Sequence, residues 1–556
     1  MIFTAFLVFV SNPAFITLSA SDIRLFTYEN PEALIITHPM EKDRVTASPR
    51  MSILGACNPD LPLYINGAQT QTTVNGFFTT YAELDYGANT FVFQNGENAQ
   101  EITITRELSN NGGGYNAPQP AYFGTEIYGS TENNHISRFY DYNDDLYMGT
   151  PLAYGTTFKI LAETDEFFII EDGSMLFKSN VYELDYMIQP ITVSGGETFS
   201  DSKSFGITYR VSDNPLYDIE LDDNQAKLTM YARHDETVIS QNKQPDEVYI
   251  TEIAKTATDT TLVHEFTFTE APAGYTVQFS NGEMKIEFRR AVTSLRNAVV
   301  LLDAGHGGQD PGALGPPDEF GPMEKDFNLY VSKIARDYLE ALGVTVLFVR
   351  DEDVHVPIVE RVDYFMLKPD ISVCVHANSM PVTSDFTSEI GPLMFYTVDE
   401  TEKAADELIR VIAAETGNEY QPPKRQNFAM ARYTGCPAVL FEMGFLCNPH
   451  EYERMLNIIY LDTMGLALGK AIEQYLLGFV DSDAESGEPY ENGQNNEPLH
   501  ETHLQSPPLA NSEQPALVQT YENDIDSIAL RAAVFVSGVI ALGTFLCMPA
   551  VFRRKK

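Results

Sequence analysis

Four ionisable side chains stand where a chain can put them to chemical use. His306 follows the apolar run Val299-Val300-Leu301-Leu302 and Asp303, held among glycines in Ala304-Gly305-His306-Gly307-Gly308. Glu324 sits in Met323-Glu324-Lys325-Asp326-Phe327-Asn328-Leu329, at the head of a helical pattern. His376 follows the apolar run 371–375, and Glu442 follows Ala438-Val439-Leu440-Phe441. Two neutral imidazoles and one carboxylate are the ligand type of catalytic zinc, which keeps a fourth position for water. Zinc lowers the pKa of that water to about 7, and a further carboxylate can carry its proton to a leaving amine. Taken singly, each residue has an ordinary structural reading: a loop histidine, a carboxylate at a helix N-terminus, a carboxylate paired with Lys or Arg. Their joint placement at successive strand and helix ends, where open α/β sheets carry their sites, singles them out.

The elements that must position them occupy residues 297–479. Aliphatic runs without polar alternation suit strands buried on both faces, and they recur at 298–303, 344–349, 371–375, 392–397 and 438–441. Between them lie helical patterns at 329–342, 402–415 and 452–477. The first carries Leu329, Ile334, Tyr338, Leu339 and Leu342 on one stripe and stops at Gly343. Alternating strands and helices predict an α/β domain with a largely parallel sheet.

These blocks resemble the type-3 family of zinc-dependent N-acetylmuramoyl-L-alanine amidases of the bacterial cell wall. The matching pieces, in the family order, are Asp303-Ala304-Gly305-His306-Gly307-Gly308, Glu324-Lys325 with Asn328-Leu329, Arg350-Asp351 with Asp353 and Arg361, His376-Ala377-Asn378, and Glu442-Met443-Gly444-Phe445-Leu446 with Asn448. The resemblance implies that His306, Glu324 and His376 bind Zn2+ and that Glu442 is the catalytic acid/base. Cys374, Val375, Cys447 and Asp363 depart from the usual residues without removing a ligand. The segment 379–391 is short and lacks the inserted helix that blocks the site in some members. Asn378 is a candidate outer partner of His376. Arg350 and Arg361 have two readings, a salt bridge to Asp353 or Glu360 and contact with an anionic muropeptide. His355 is not read as a ligand.

Ahead of this domain the chain reads as three small, mostly-β modules. Residues 59–105 contain short alternating segments separated by Asn66-Gly67, Asn75-Gly76 and Asn95-Gly96, which are hairpin signals. They resemble an immunoglobulin-like module of bacterial surface proteins. Residues 110–119 read as a linker. Residues 121–187 resemble, by strand order, a bacterial SH3-like barrel. Residues 188–296 are a further β-rich module without a catalytic constellation.

Composition supplies the setting. The 556 residues call for several domains. A net charge of −43 repels phosphates, so the expected partners include no nucleic acid. Five scattered cysteines make neither a disulfide scaffold nor a four-cysteine zinc site. Residues 1–20 are signal-like, although no Lys or Arg precedes Arg24. Residues 480–528 are acidic and rich in Asn, Ser and Pro, the composition of a disordered tether. Residues 532–552 are apolar or small except for Ser537 and Thr544, enough to cross a bilayer. Arg553-Arg554-Lys555-Lys556 then places that end in the cytoplasm. The sequence therefore predicts a single-pass cell-membrane protein with an extracytoplasmic zinc amidase acting on peptidoglycan, anchored through its C-terminal transmembrane helix. The rival readings are a zinc peptidase or carboxypeptidase on the stem peptide and a catalytically inactive wall-binding surface protein.

Overall fold

The computed structural model describes residues 34–40, 43–107, 121–141, 144–234, 239–240 and 249–478. The expected signal-like segment 1–20, linker 110–119, tether 480–528 and transmembrane helix 532–552 lie outside the described residues.

The α/β domain is built on β1 (Val299–Ala304), α1 (Glu324–Ala341), β2 (Thr345–Phe348), α2 (Ile358–Asp363), β3 (Ile371–Asn378), β4 (Leu393–Tyr396), α3 (Glu402–Thr416), β5 (Lys424–Arg425), β6 (Ala438–Phe445), α4 (Pro449–Met455) and α5 (Ile458–Leu477). The six strands lie in the order β2-β1-β3-β6-β4-β5. All neighbours run parallel except β4 and β6, which are antiparallel. The central strands are aliphatic throughout because both faces are covered. Val300 and Leu302 join a core with Val331 and Ile334 of α1, Leu408 of α3 and Leu468 of α5. Leu301, between them, joins a second core with Val349, Phe365 and Leu440. At about 1.5–3 kcal/mol for each large side chain fully buried, these two cores hold the sheet level with the site.

The expected helix over 452–477 is two helices meeting at 83°. Asn448 caps α4 by accepting from the His450 and Glu451 amides, and Asn457 caps α5 by accepting from Ile459. A second cap begins a new helix, hence the bend. Among the described residues no single helix is long and apolar enough to cross a membrane.

The N-terminal part is mostly β. Residues 35–106 form a three-stranded and a five-stranded sheet around Met51, Ile53, Phe78, Phe93 and Ile104. Three of these strands, Ile35–His38, Asp43–Thr46 and Arg50–Ala56, lie ahead of the 59–105 range read from the sequence. Asn66-Gly67 does turn a hairpin, whereas Asn75-Gly76 joins strands of different sheets. Residues 121–184 supply a seven-stranded sheet and 192–289 a six- and a four-stranded sheet. These two ranges share one core, in which Phe158 and Ile160 meet Phe205 and Phe288. Buried Arg138 also ties them, pairing with Asp172 at 2.6 Å and Asp218 at 2.7 Å.

The β part is bonded to the α/β domain. Arg289 pairs with Asp370 at 2.6 Å, and the other oxygen of Asp370 accepts from Val299 N at the start of β1. The Tyr275 amide donates to the Thr434 carbonyl at 2.7 Å. Glu400 stands near this junction, where burial, with Asp399 beside it, pushes its carboxyl from 4.5 up to about 7. A carboxyl raised by folding keeps its proton longer in the native state. Its contribution is therefore neutral below pH 4.5 and increasingly destabilising up to pH 7. Glu400→Gln is expected to stabilise the protein by up to about 3 kcal/mol at pH 8 and by nothing at pH 4. Thermal denaturation at the two pH values checks this; an equal shift at both would remove the titration as its cause.

Candidate metal centre and active site

The site forms at the C-terminal ends of β1, β3 and β6, together with the first turn of α1. β1 runs out at Ala304, and the Gly305 amide donates to the Val375 carbonyl at 2.9 Å, which fixes the turn against β3. A Cβ on Gly305 would lie 2.3 Å from the His376 ring, so only glycine lets the ring sit there. His306 then takes a left-handed backbone, φ 61°, which costs a non-glycine residue on the order of 1–2 kcal/mol. Two arginines hold this turn by its carbonyls. Arg350 donates to Ala304 O at 2.8 Å and Gly305 O at 2.9 Å; Arg361 donates to Ala304 O at 2.9 Å and His306 O at 2.7 Å. Arg361 is also ion-paired with buried Asp303.

Three side chains converge beyond this turn. Glu324 Oε1 lies 3.1 Å from His306 Nε2 and 2.7 Å from His376 Nδ1. The two imidazoles meet edge to face at 83°, centroids 4.9 Å apart. Glu324 Oε1 also accepts from Ala377 N at 3.3 Å and Asn328 Nδ2 at 3.4 Å, and Oε2 accepts from Ala313 N at 2.7 Å. Burial opposes ionisation of Glu324, but the hydrogen bonds from His306 and His376 outweigh it and hold the carboxyl well below its usual range. Burial would lower His306, yet its bonds to Glu324 and Asp310 raise it. Asp310 Oδ2 lies 2.9 Å from His306 Nδ1. Its carboxyl stays low despite burial, because of that bond and the Gly312 amide.

Glu442 stands on β6, in register with His376 on β3. It is buried, and its Oε2 has no hydrogen-bond partner among the described residues. Burial, and then the charge of Glu324, push its carboxyl well up.

The donor atoms of His306, Glu324 and His376 all lie within 4.8 Å of one another, and no other group of three His, Cys, Asp or Glu side chains is so placed among the described residues. Two nitrogens and a carboxylate oxygen around one point suit a zinc ion. Asp310 on the far nitrogen of His306 is the outer partner that such a ligand ordinarily has. A Cβ on Gly312 would fall 2.5 Å from Glu324 Oε2 and 2.7 Å from His306 Cδ2, so glycine keeps that space clear. The orphaned Oε2 of Glu442 is a further sign that a polar group belongs there. The residues fit the metal.

The other residues singled out in the sequence have different partners from those expected. Arg350 and Arg361 are 2% and 5% exposed, and their guanidiniums are spent on backbone carbonyls and Asp303. The expected salt bridges to Asp353 and Glu360 are absent among the described residues; Asp353 pairs with Lys325 instead, at 2.8 Å. The two arginines therefore shape the turn. Asn378 Oδ1 accepts from the Ser379 amide and makes no bond to the His376 ring. His355 packs its backbone against Gly308 and is not part of the donor group. The segment 379–391 contains no helix. The thiol of Cys374 donates to Asp303 Oδ2 at 3.1 Å, a hydroxyl-like role that explains why cysteine is tolerated there. Sequence reasoning missed the parts played by Asp310, Asn328 and Asp303. Asp303 and Asn328 stand in the matching blocks without an assigned part, whereas Asp310, four residues after His306, was not singled out at all.

Comparison with known proteins gives this segment a family. Residues 300–474 match the type-3 amidase family model, described as N-acetylmuramoyl-L-alanine amidase, and form a type-3 amidase segment. The chain is 27% identical over 191 residues to N-acetylmuramoyl-L-alanine amidase LytC of Bacillus subtilis, covering 34% of this chain and 38% of LytC. It is 25% identical over 181 residues to "Probable cell wall amidase LytH" of Staphylococcus epidermidis, covering 33% of this chain and 59% of that protein. The match thus spans less than two thirds of either relative. Among solved structures, the catalytic domain of CwlV, an N-acetylmuramoyl-L-alanine amidase from Bacillus (Paenibacillus) polymyxa, is 28% identical, with a TM-score of 0.30 and coverage of 32% of this chain and 98% of CwlV's.

Arg361→Ala would leave Asp303 as an unpaired buried charge and release two carbonyls of the turn. It is expected to cost about 3–5 kcal/mol, read as a lower denaturant midpoint by circular dichroism. An unchanged midpoint would show that the pair does not hold the turn.

Proposed function

We propose that this protein is a zinc-dependent N-acetylmuramoyl-L-alanine amidase. It hydrolyses the amide between the lactyl group of N-acetylmuramic acid and L-alanine in peptidoglycan, outside the cytoplasm. The observation that carries the reading is the convergence of His306, Glu324 and His376 beside buried Glu442, whose Oε2 has no hydrogen-bond partner among the described residues. The amidase segment supplies the substrate class. The acidic stretch 480–528, the apolar stretch 532–552 and the basic residues after it support a tether and membrane anchor.

His306, Glu324 and His376 would hold the ion. When bound, zinc supplies Lewis-acid polarisation of the scissile carbonyl and a water pKa near 7 (about 7 in known zinc sites). Asp310 keeps the His306 proton on Nδ1, so that Nε2 presents its lone pair to the centre. Glu442 accepts a proton from water as the new C–O bond forms at the carbonyl carbon. It returns that proton to the amide nitrogen as the C–N bond breaks, and L-alanine leaves as an amine. Burial raises the Glu442 carboxyl, which makes its ionised form a stronger base toward water. The Asn328 amide and the Ala313 and Ala377 N–H groups fix the orientation of the Glu324 carboxylate.

Chelation is expected to abolish clearing in a zymogram of purified walls, and added zinc to restore it; clearing indifferent to chelator would sink the metal mechanism. Mass spectrometry of the digest should show sugars with an intact lactyl carboxyl and peptides beginning at L-alanine, whereas cuts inside the peptide would assign a peptidase. Glu442→Gln should lower kcat by about 10²–10⁴ with zinc still bound. Near-normal hydrolysis by that variant would overturn the role of Glu442. Asp310→Asn should weaken zinc binding by about 10–100-fold, measured by competition with a chromophoric chelator; unaltered affinity would remove Asp310 from the support of His306.

A further inference from the structure

A cavity of about 630 Å³ opens where the β part meets the α/β domain, on the far side of α2 from the catalytic turn. α2 has two jobs: Arg361 reaches the His306 carbonyl, while Ile358 and Val359 line the cavity. Both are exposed, at 50% and 65%, although they are aliphatic. Deeper in, Tyr433 stacks on Phe365 at 4.4 Å, and the edge of His135 rests on both rings. His135 takes a left-handed backbone, φ 56°, to present its ring there, and the ring makes no hydrogen bond among the described residues.

Arg432 stands beside it. Its Nε donates to Asn427 Oδ1 at 2.7 Å, and the same oxygen accepts from Ser137 Oγ at 3.0 Å, so Asn427 clamps the arginine across the junction. The two terminal nitrogens of Arg432 are left over. Among the described residues it has no carboxylate partner, in a chain with 79 acidic and 36 basic residues, where acids are plentiful. Glu132 and Asp363 line the cavity but are exposed and unpaired with it, and Lys368 is taken by Glu287. Burial lowers the Arg432 guanidinium with no acid to offset it. Burial, with Arg432 nearby, brings His135 down to about 4, so the imidazole is neutral and can both donate and accept. A half-buried fork of donors facing an open cavity is matched by a carboxylate, which Arg binds in two-pronged fashion. Exposed aliphatic walls beside it are matched by small apolar side chains.

We infer that this cavity binds an acidic peptide, with a carboxylate on Arg432 and short apolar side chains against Ile358 and Val359. The proposal rests on the amidase reading for the source of such a peptide, the stem on the L-alanine side of the cleaved amide.

The test is calorimetric titration of the full-length protein with the dipeptide Ala-Glu and with the same dipeptide amidated at both carboxyls. Saturable binding of Ala-Glu is expected, weakened about tenfold or more by amidation or by Arg432→Gln, and weakened less by Arg432→Lys, which keeps the charge but not the two-pronged geometry. Val359→Asp, at an exposed position, should also weaken binding by placing a like charge at the wall, and it decides the matter if Arg432→Gln fails to fold. Equal affinity in wild type, R432Q and V359D, equal binding of the amidated peptide, or no binding at millimolar peptide overturns the proposal. Wall hydrolysis is measured on the same samples. Binding without hydrolysis condemns the amidase reading alone; hydrolysis without binding condemns the cavity alone.

Discussion

At His306 the backbone enters the left-handed region, and three successive carbonyls, those of Ala304, Gly305 and His306, are taken up by two arginine guanidiniums. Left to itself this turn would relax, because a β-substituted residue prefers negative φ. Arg350 and Arg361 over-determine it, and Asp303 balances the positive charge they bring into the interior. Arg350 also accepts a constraint from α1 by donating to Lys325 O at 2.8 Å, so the turn and the helix that carries Glu324 are locked to the same group. The spacing of the donor set follows from this one cluster. His306 is aimed by the turn, Glu324 by its place at the start of α1, and His376 by the strand that the turn is bonded to.

The rest of the α/β domain serves the same geometry from further away. β3 and β6 run side by side, so His376 and Glu442 emerge at one level of the sheet. Glu451 of α4 spends both oxygens on backbone amides, Ile390 and Gly391 with one and Phe445 with the other. The end of β6 and the 379–391 segment are thereby held together. That segment is also gripped from the N-terminal module: Ser52 donates through its amide to Val382 O and through its hydroxyl to Ser384 O, both at 2.7 Å. A short loop bonded at both ends has little freedom to fold over the site.

Much of this was legible beforehand, for reasons that differ from one element to the next. The strand Val299–Ala304 could be read because four aliphatic residues in a row have no polar side to show to water. The helix Glu324–Ala341 could be read from its stripe, although its first turn, which holds Glu324, precedes the apolar periodicity and shows only as an acidic start. The break between Met455 and Ile458 was missed because the apolar stripe runs on across it, and only the caps of Asn448 and Asn457 mark two starts. The division at residue 188 set an SH3-like strand order apart from further strand-like segments, yet Phe158 and Phe288 share a core. A core is a three-dimensional grouping, and sequence distance does not report it.

The residue types alone determined that two imidazoles and two carboxylates were available, and that each stood where an aliphatic strand ends or a helix begins. Hydrophobic periodicity is a local property, so a single sequence carries it in full. Only the tertiary structure decided which groups meet: Asp310 on His306, Asn328 and the Ala377 amide on Glu324, and Arg361 on Asp303 rather than on its sequence neighbours. Buried ionic groups choose partners by where the sheet and helices deliver them, over separations as large as the 58 residues between Asp303 and Arg361. That choice turned two arginines, read either as ion pairs of their own loop or as contacts for a muropeptide, into the clamp of the His306 turn, and left a third, Arg432, lining a cavity with no carboxylate paired to it among the described residues.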